Sequence, residues 1–135
     1  MRFAVLVKAN EQSEAGIMPS AEQLEKMGKF NEELIRDGVM LAGDGLLASS
    51  KGVRIRYSGG KTTITDGPFA ETKELVSGFW ILQAKSRDEV VERMKRAPFD
   101  HEAEIEIRQI MEADDFGEMS DKVRAQEERL HAIQP

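Results

Sequence analysis

The residue types able to do chemistry concentrate in Thr65-Asp66-Gly67-Pro68-Phe69-Ala70-Glu71-Thr72-Lys73-Glu74, at the middle of the 135-residue chain. An Asp normally closes a turn on the N–H two residues ahead, but here that residue is Pro68, which has no N–H. The Asp66 carboxylate is thereby left for the N–H of Phe69 or Ala70, or for a ligand. Glu71 and Lys73 stand two apart, so an extended segment points both to one side and lets them pair. Phe69 is expected to anchor the loop in an apolar pocket. Asp44, between Gly43 and Gly45, is a second accessible carboxylate. Its alternative role is to hold local N–H groups in a turn. Asp66, Asp44 and Glu71 are the candidate acid/base groups.

Cations stand near these acids. Arg54 and Arg56 precede the central stretch, Lys73 lies within it, and Arg108 follows Glu106 late in the chain. Arg56, Lys73 and Arg108, with Phe69 and Trp80, are the candidate ligand contacts, suited to a small polar molecule. The competing account is that Asp66 pins a turn and the charges form surface pairs worth about 0–1 kcal/mol each. Trp80 beside Phe79 also has a core role open to it, because it lies in the most apolar segment.

Other chemistries find no support. With no cysteine there is no disulfide, thiolate nucleophile or cysteine-based zinc site. His101 and His131 lack the spacing of a metal pair, and each reads as a surface residue. No phosphate loop follows Gly43-Asp44-Gly45, and no Gly-x-Ser-x-Gly elbow occurs. The net charge of −6 argues against a nucleic-acid surface. From Glu112 onward seven acids face three bases, so the acidity is concentrated in the tail. No apolar run approaches the roughly 20 residues of a membrane helix, and Met1 to Lys8 turns polar too soon for a signal peptide. No metal or cofactor is expected, and the expected location is the cytoplasm.

The elements that must position these groups follow from periodicity. Phe3 to Val7 reads as a buried strand, and Asn10 to Met18 as a loop. Ser20 and Gln23 form a capping box, with Leu24, Met27, Phe30 and Leu34 on one helical face up to Asp37-Gly38. Val39 to Gly43 is a second strand. Gly52 to Tyr57 and Thr62 to Thr65 alternate across Gly59-Gly60, which suits a primed hairpin turn. Gly78 to Ala84 is apolar on both faces, as an inner strand is. Ser86 to Glu89 caps a second helix that Pro98 stops, and Glu104 to Ile110 alternates again, with Ile105 and Ile107 inward. Without the hairpin the order is βαββαβ, an α+β fold of ferredoxin-like type. Two helices cover one sheet face. Trp80, Leu82, Ala4 and Leu6 are expected on the other, which implies a homodimer packed sheet to sheet. One domain is expected over 1–112, with an acidic tail over 113–135 that is helical from Glu118 to Ile133.

Asp66 through Glu74 resembles, residue for residue, the motif for which the DGPFAETKE family of YCII-related proteins is named. Gly38 to Leu46, Gly78 to Ile81 and Glu106 to Arg108 extend the similarity across about Met1 to Met111. The resemblance implies a dimeric α+β barrel of two ferredoxin-like subunits. YCII-like proteins resemble small enzymes of aromatic-compound breakdown, some with a His–Asp pair. That His belongs on the first helix, where this chain has Met27-Gly28-Lys29-Phe30, while Asp44 stands near the place of the Asp. Relatives with the motif also occur beside sigma-factor-like regulators. Two functions therefore stand open: a small-molecule-binding protein or enzyme with a pocket near the dimer barrel, and a non-catalytic regulatory or interaction module.

Overall fold

The computed structural model describes every residue except Asp100, His101 and Met119, together with the side chain of Lys73. His101, expected at the surface, and Met119, within the helix expected from Glu118 to Ile133, thus lie outside the described residues. The chain runs β1 (Arg2–Lys8), α1 (Glu11–Glu14), α2 (Ala21–Arg36), β2 (Met40–Gly45), β3 (Val53–Ser58), β4 (Lys61–Asp66), β5 (Val76–Gln83), α3 (Arg87–Met94), β6 (Ile105–Gln109) and α4 (Asp121–Ile133). Three short 3-10 turns join them, at Ser49–Lys51, Thr72–Glu74 and Ala113–Phe116. β2, β5, β1 and β6 form one antiparallel sheet in that order, and β3 and β4 form a separate two-stranded arm. This is the ferredoxin-like α+β arrangement with an inserted hairpin and an added terminal helix.

Helix starts follow the caps. Ser20 Oγ accepts the Gln23 N–H at 3.1 Å and Ser86 Oγ accepts the Glu89 N–H at 3.2 Å. The Gln23 side chain does not close the expected box; its amide donates to the Pro98 carbonyl and ties α2 to the segment after α3. The stretch expected as a loop after β1 contains one helical turn. Asn10 Oδ1 accepts the Ser13 N–H and Ser13 Oγ accepts the Asn10 N–H, each at 2.9 Å, a reciprocal cap built from Asn and Ser.

The core lies between the helices and one sheet face. Phe3, Val5, Leu34, Leu82 and Val90 are fully buried there, with Phe30, Trp80 and Met94 nearly so. Burying each such side chain contributes roughly 1.5–3 kcal/mol. Trp80 meets Phe30 and Phe99 edge-on at 6.3 Å between ring centres, and its Nε1–H donates to Asn31 Oδ1 at 2.8 Å. This corrects the expected facing of the inner strand. Register sets Val5 opposite Trp80 and Phe3 opposite Leu82, so Trp80 and Leu82 face the helices. The uncovered face instead carries Ala4, Leu6, Phe79 and Ile81, all half-buried. Residues directly opposite share a face, and a strand alternates faces, so one pairing decides the whole set.

In the arm every residue is exposed. Gly59 and Gly60 both have positive φ, 58° and 74°, as the two central residues of a primed turn require. Lys61 thereby stands opposite Ser58 and Ile64 opposite Ile55.

Candidate functional site

The central motif is held from behind by a serine outside it. Ser49 Oγ accepts the Phe69 N–H at 3.0 Å. The Glu14 carboxylate of α1 accepts the Ser49 N–H at 2.9 Å and the Ser49 hydroxyl as well. Those bonds hold the Glu14 carboxyl below the usual glutamate range, the hydroxyl contributing most. Gly67 N–H donates to the Gly52 carbonyl at 3.0 Å, and its Cα lies so close that a Cβ would stand 1.7 Å from the Ser49 carbonyl oxygen. Glycine is there because a backbone must pass against another backbone.

The N–H of Phe69 is thus taken by Ser49, and Asp66, exposed at the end of β4, makes no side-chain hydrogen bond among the described residues. Phe69 is half-buried, and its ring is covered by the Arg54 guanidinium, 3.8 Å from the centroid, in place of the expected apolar pocket. Nor is the segment after it extended. Thr72–Glu74 is a 3-10 turn, which brings Glu74 to Glu71. A hydrogen bond to Glu74 and its charge push the Glu71 carboxyl up, while Arg54 opposes the rise. The expected partner Lys73 has its side chain outside the described set.

A second group of candidates meets on the uncovered sheet face. Cross-strand register aligns Asp44, Phe79, Leu6 and Glu106 in one row across all four strands. Ala42, Ile81, Ala4 and Arg108 form the next row. At about 4.8 Å per strand, Asp44 and Glu106 bracket an apolar floor roughly 14 Å wide. Asp44 is exposed on the β2 edge. On the β6 edge Glu106 lies 3.3 Å from Arg108 and 3.4 Å from Lys8, and these cations, Arg108 first, hold its carboxyl below the usual range. The motif leads into β5 at the Asp44 end of the sheet, where Gly45 pairs with Gly78 and Lys8 with Val76.

Of the sequence-derived candidates, Asp44 and Arg108 therefore share one face, and Phe69 and Glu71 share the motif loop, with Arg54 of the arm against them. Arg56 lies on the arm, lining an open concavity of about 590 Å³ with Arg54, Ile55, Thr63 and Thr65. Trp80 is in the core, 5% exposed with its N–H satisfied, and presents no ring to a ligand. Sequence reasoning missed Glu14, Ser49 and Lys8. The first two meet 35 residues apart through tertiary structure, which leaves no local signal. Lys8 had one, since it continues the strand that carries Leu6.

No group of three or more His, Cys, Asp or Glu able to hold a metal exists among the described residues. Likewise no described helix is long and apolar enough to cross a membrane.

An uncharacterized protein of Rhizobium meliloti is 40% identical over 47 residues, 35% of this chain, and the match spans 38% of that protein's length. A solved structure of 5-chloro-2-hydroxyhydroquinone dehydrochlorinase from Burkholderia phenoliruptrix, in complex with 2,5-dihydroxybenzoquinone, is 18% identical. It is similar over 78% of this chain and 91% of that one, with a TM-score of 0.43. The model of the YCII-related domain matches residues 1–114, and the chain belongs to that family.

Proposed function

We propose that this protein binds a small polar molecule with an apolar body on the uncovered sheet face, as a homodimer whose two such faces oppose each other. The carrying observation is the floor of Leu6, Phe79, Ile81 and Ala4, bounded by Asp44 on one edge and by Glu106 and Arg108 on the other. An apolar floor with a few convergent polar groups is the usual composition of a ligand site. Left to water it would be an unpartnered patch, and a second copy closes it into a barrel. Within the family we place the chain in the DGPFAETKE branch, on the motif Asp66 to Glu74. The binding unit is 1–112, with 113–135 as an appended acidic segment, in a cytoplasmic protein.

In this reading Arg108 holds an anionic group and Asp44 is the acid/base or hydrogen-bonding group of the floor. Asp66, Glu71, Arg56, Lys73 and Phe69 line the mouth that the motif loop and the arm provide. The test is a thermal-shift titration with benzoate and hydroxybenzoates, because a ligand of the folded state raises Tm by mass action. Wild type should be stabilised, with the gain lost in Arg108→Gln and reduced in Asp44→Asn. No shift with any probe in a protein that sediments as a dimer would remove the ligand reading.

A second reading is supported by the bonds of the motif itself. Gly67 and Phe69 are committed to Ser49 and Gly52. A motif engaged in that way suits a non-catalytic regulatory or interaction module, and the same null titration would favour it.

A further inference from the structure

The polar side of the arm carries positive charges that no acid faces. Cross-strand pairing sets Arg54 opposite Thr65, Arg56 opposite Thr63 and Ser58 opposite Lys61, so these side chains share one side of the ribbon. Asp66, the only acid in β3 or β4, pairs with Val53 and belongs to the other side. Arg54 and Arg56 stand two apart, about 7 Å along the strand, each across from a threonine where an acid would compensate it. Among the described residues neither makes a salt bridge. Two like charges side by side repel, and a bound anion relieves that repulsion. With Thr63 and Thr65 the two arginines line the open concavity of about 590 Å³. Arg54 is steadied there by the Phe69 ring, 3.8 Å below its guanidinium carbon. A guanidinium set over a ring keeps its N–H fork for a further partner.

We propose that the polar side of the β3–β4 arm binds a tetrahedral dianionic oxyanion, either free phosphate or the phosphate group of a small monoester. The charges and donors argue for that class. Two guanidinium groups bring two positive charges and about five N–H donors each, and two threonine hydroxyls add to them. A phosphate monoester brings a charge of about −1.5 to −2 and three acceptor oxygens, whereas a carboxylate brings a single charge and two oxygens. The patch of Arg54, Arg56, Thr63 and Thr65 measures about 7 Å by 5 Å, room for one such group. Arginine at both positions suits the forked contact to phosphate. A nucleic-acid strand fits less well. The chain has a net charge of −6, and Tyr57, the one aromatic residue of the arm, stands on the opposite side with Ile55, where it stacks no base on this side. The site gives Arg56 a defined ligand beyond its place at the mouth of the sheet-face site, and it does not depend on that reading.

The test is an amide-resolved NMR titration of the full chain with inorganic phosphate and with phenyl phosphate, at constant ionic strength and against sodium chloride. Saturable shifts centred on residues 53–66, absent with chloride, are the expected result. Shifts from both probes make the oxyanion itself the ligand, and shifts from phenyl phosphate alone make it the phosphate of an ester. Arg56→Gln should weaken binding about tenfold and Thr63→Val about fivefold, as loss of a charge-assisted and of a neutral hydrogen bond does. Both positions are exposed, so the fold is kept. No saturation, an equal response to chloride, or unchanged binding in Arg56→Gln overturns the site. Arg108→Gln separates this site from the sheet face. Phosphate shifts that persist in it are expected, and shifts lost in it move the anion to the sheet face and overturn the arm site. A short single-stranded RNA that binds more tightly than phenyl phosphate overturns the small-molecule assignment. Failure on the arm with the benzoate gain retained leaves the sheet-face reading standing.

Discussion

Ser49 Oγ accepts the Phe69 N–H at 3.0 Å while the Glu14 carboxylate fixes the same hydroxyl. A residue outside the signature motif thereby sets the motif's backbone. Ser49→Ala removes the acceptor of the Phe69 N–H and one donor to Glu14. The loss should be about 1–3 kcal/mol of stability, because the Phe69 N–H and the Glu14 carboxylate each lose a partner. Chemical denaturation with an unchanged m-value would show it. A variant as stable as wild type would mean that water replaces the hydroxyl without cost.

Gly67→Ala should be far more damaging. The new Cβ would meet the Ser49 carbonyl oxygen at 1.7 Å, and that atom is backbone, which cannot swing aside. Either the motif loop or the Ser49–Lys51 turn must move, at a cost of about 2–3 kcal/mol. A thermal melt within a degree of wild type would show that the loop has room to shift.

The two variants also mark what a sequence can disclose. The βαββαβ order, the Gly59-Gly60 turn and the caps at Ser20 and Ser86 were legible because each rests on neighbours in the chain. The facing of Trp80 was not. β5 is apolar on both sides, so its own pattern leaves two choices, and only pairing with Val5 decides. The row Asp44, Phe79, Leu6 and Glu106 was hidden for the same reason: it draws one residue from each of four strands. Glu14 stays hidden because Asn with Ser is a less familiar cap than Ser with Glu and because its partner Ser49 stands 35 residues away.

Sheet-to-sheet association can be checked without any ligand. Phe79 is near the centre of the uncovered face, between Asp44 and Leu6. In the proposed dimer Phe79→Glu adds a charge to each of two opposed floors, so like charges face each other across the barrel, which is strongly unfavourable. Wild type should sediment as a dimer at micromolar concentration and the variant as a monomer with its circular dichroism retained. An equally dimeric variant would place the contact elsewhere.

The pH dependence should be dominated by carboxyls held low. Glu14, Glu106, Glu112 and Asp37 are all depressed, by Ser49, by Arg108 and Lys8, by Arg2, and by Arg93 respectively. A depressed carboxyl binds its proton less readily when folded. Its contribution is complete above the ordinary glutamate value of 4.5 and is lost as pH falls through the folded value. Glu71 has the opposite sign: raised by Glu74, it favours the fold below 4.5 and loses that contribution as pH rises through its folded value. Glu71→Gln should therefore raise Tm at pH 7 while changing little at pH 4. A drop in Tm at pH 7 would mean that the Glu71 charge is held by a cation after all.

Trp80 offers the last test because it is the chain's single tryptophan. Its N–H reaches Asn31 Oδ1 at 2.8 Å across the core, and its ring lies between Phe30 and Phe99. Trp80→Phe keeps an aromatic body but leaves the Asn31 oxygen without its donor and a gap where the indole stood. The cost should be about 2 kcal/mol. Asn31→Leu in the wild-type background removes the acceptor instead and leaves the indole N–H unpaired. The double variant removes both polar groups and should be more stable than the sum of the two single losses predicts. Strict additivity would show that the two groups do not act on each other, and that the ring is held by packing alone.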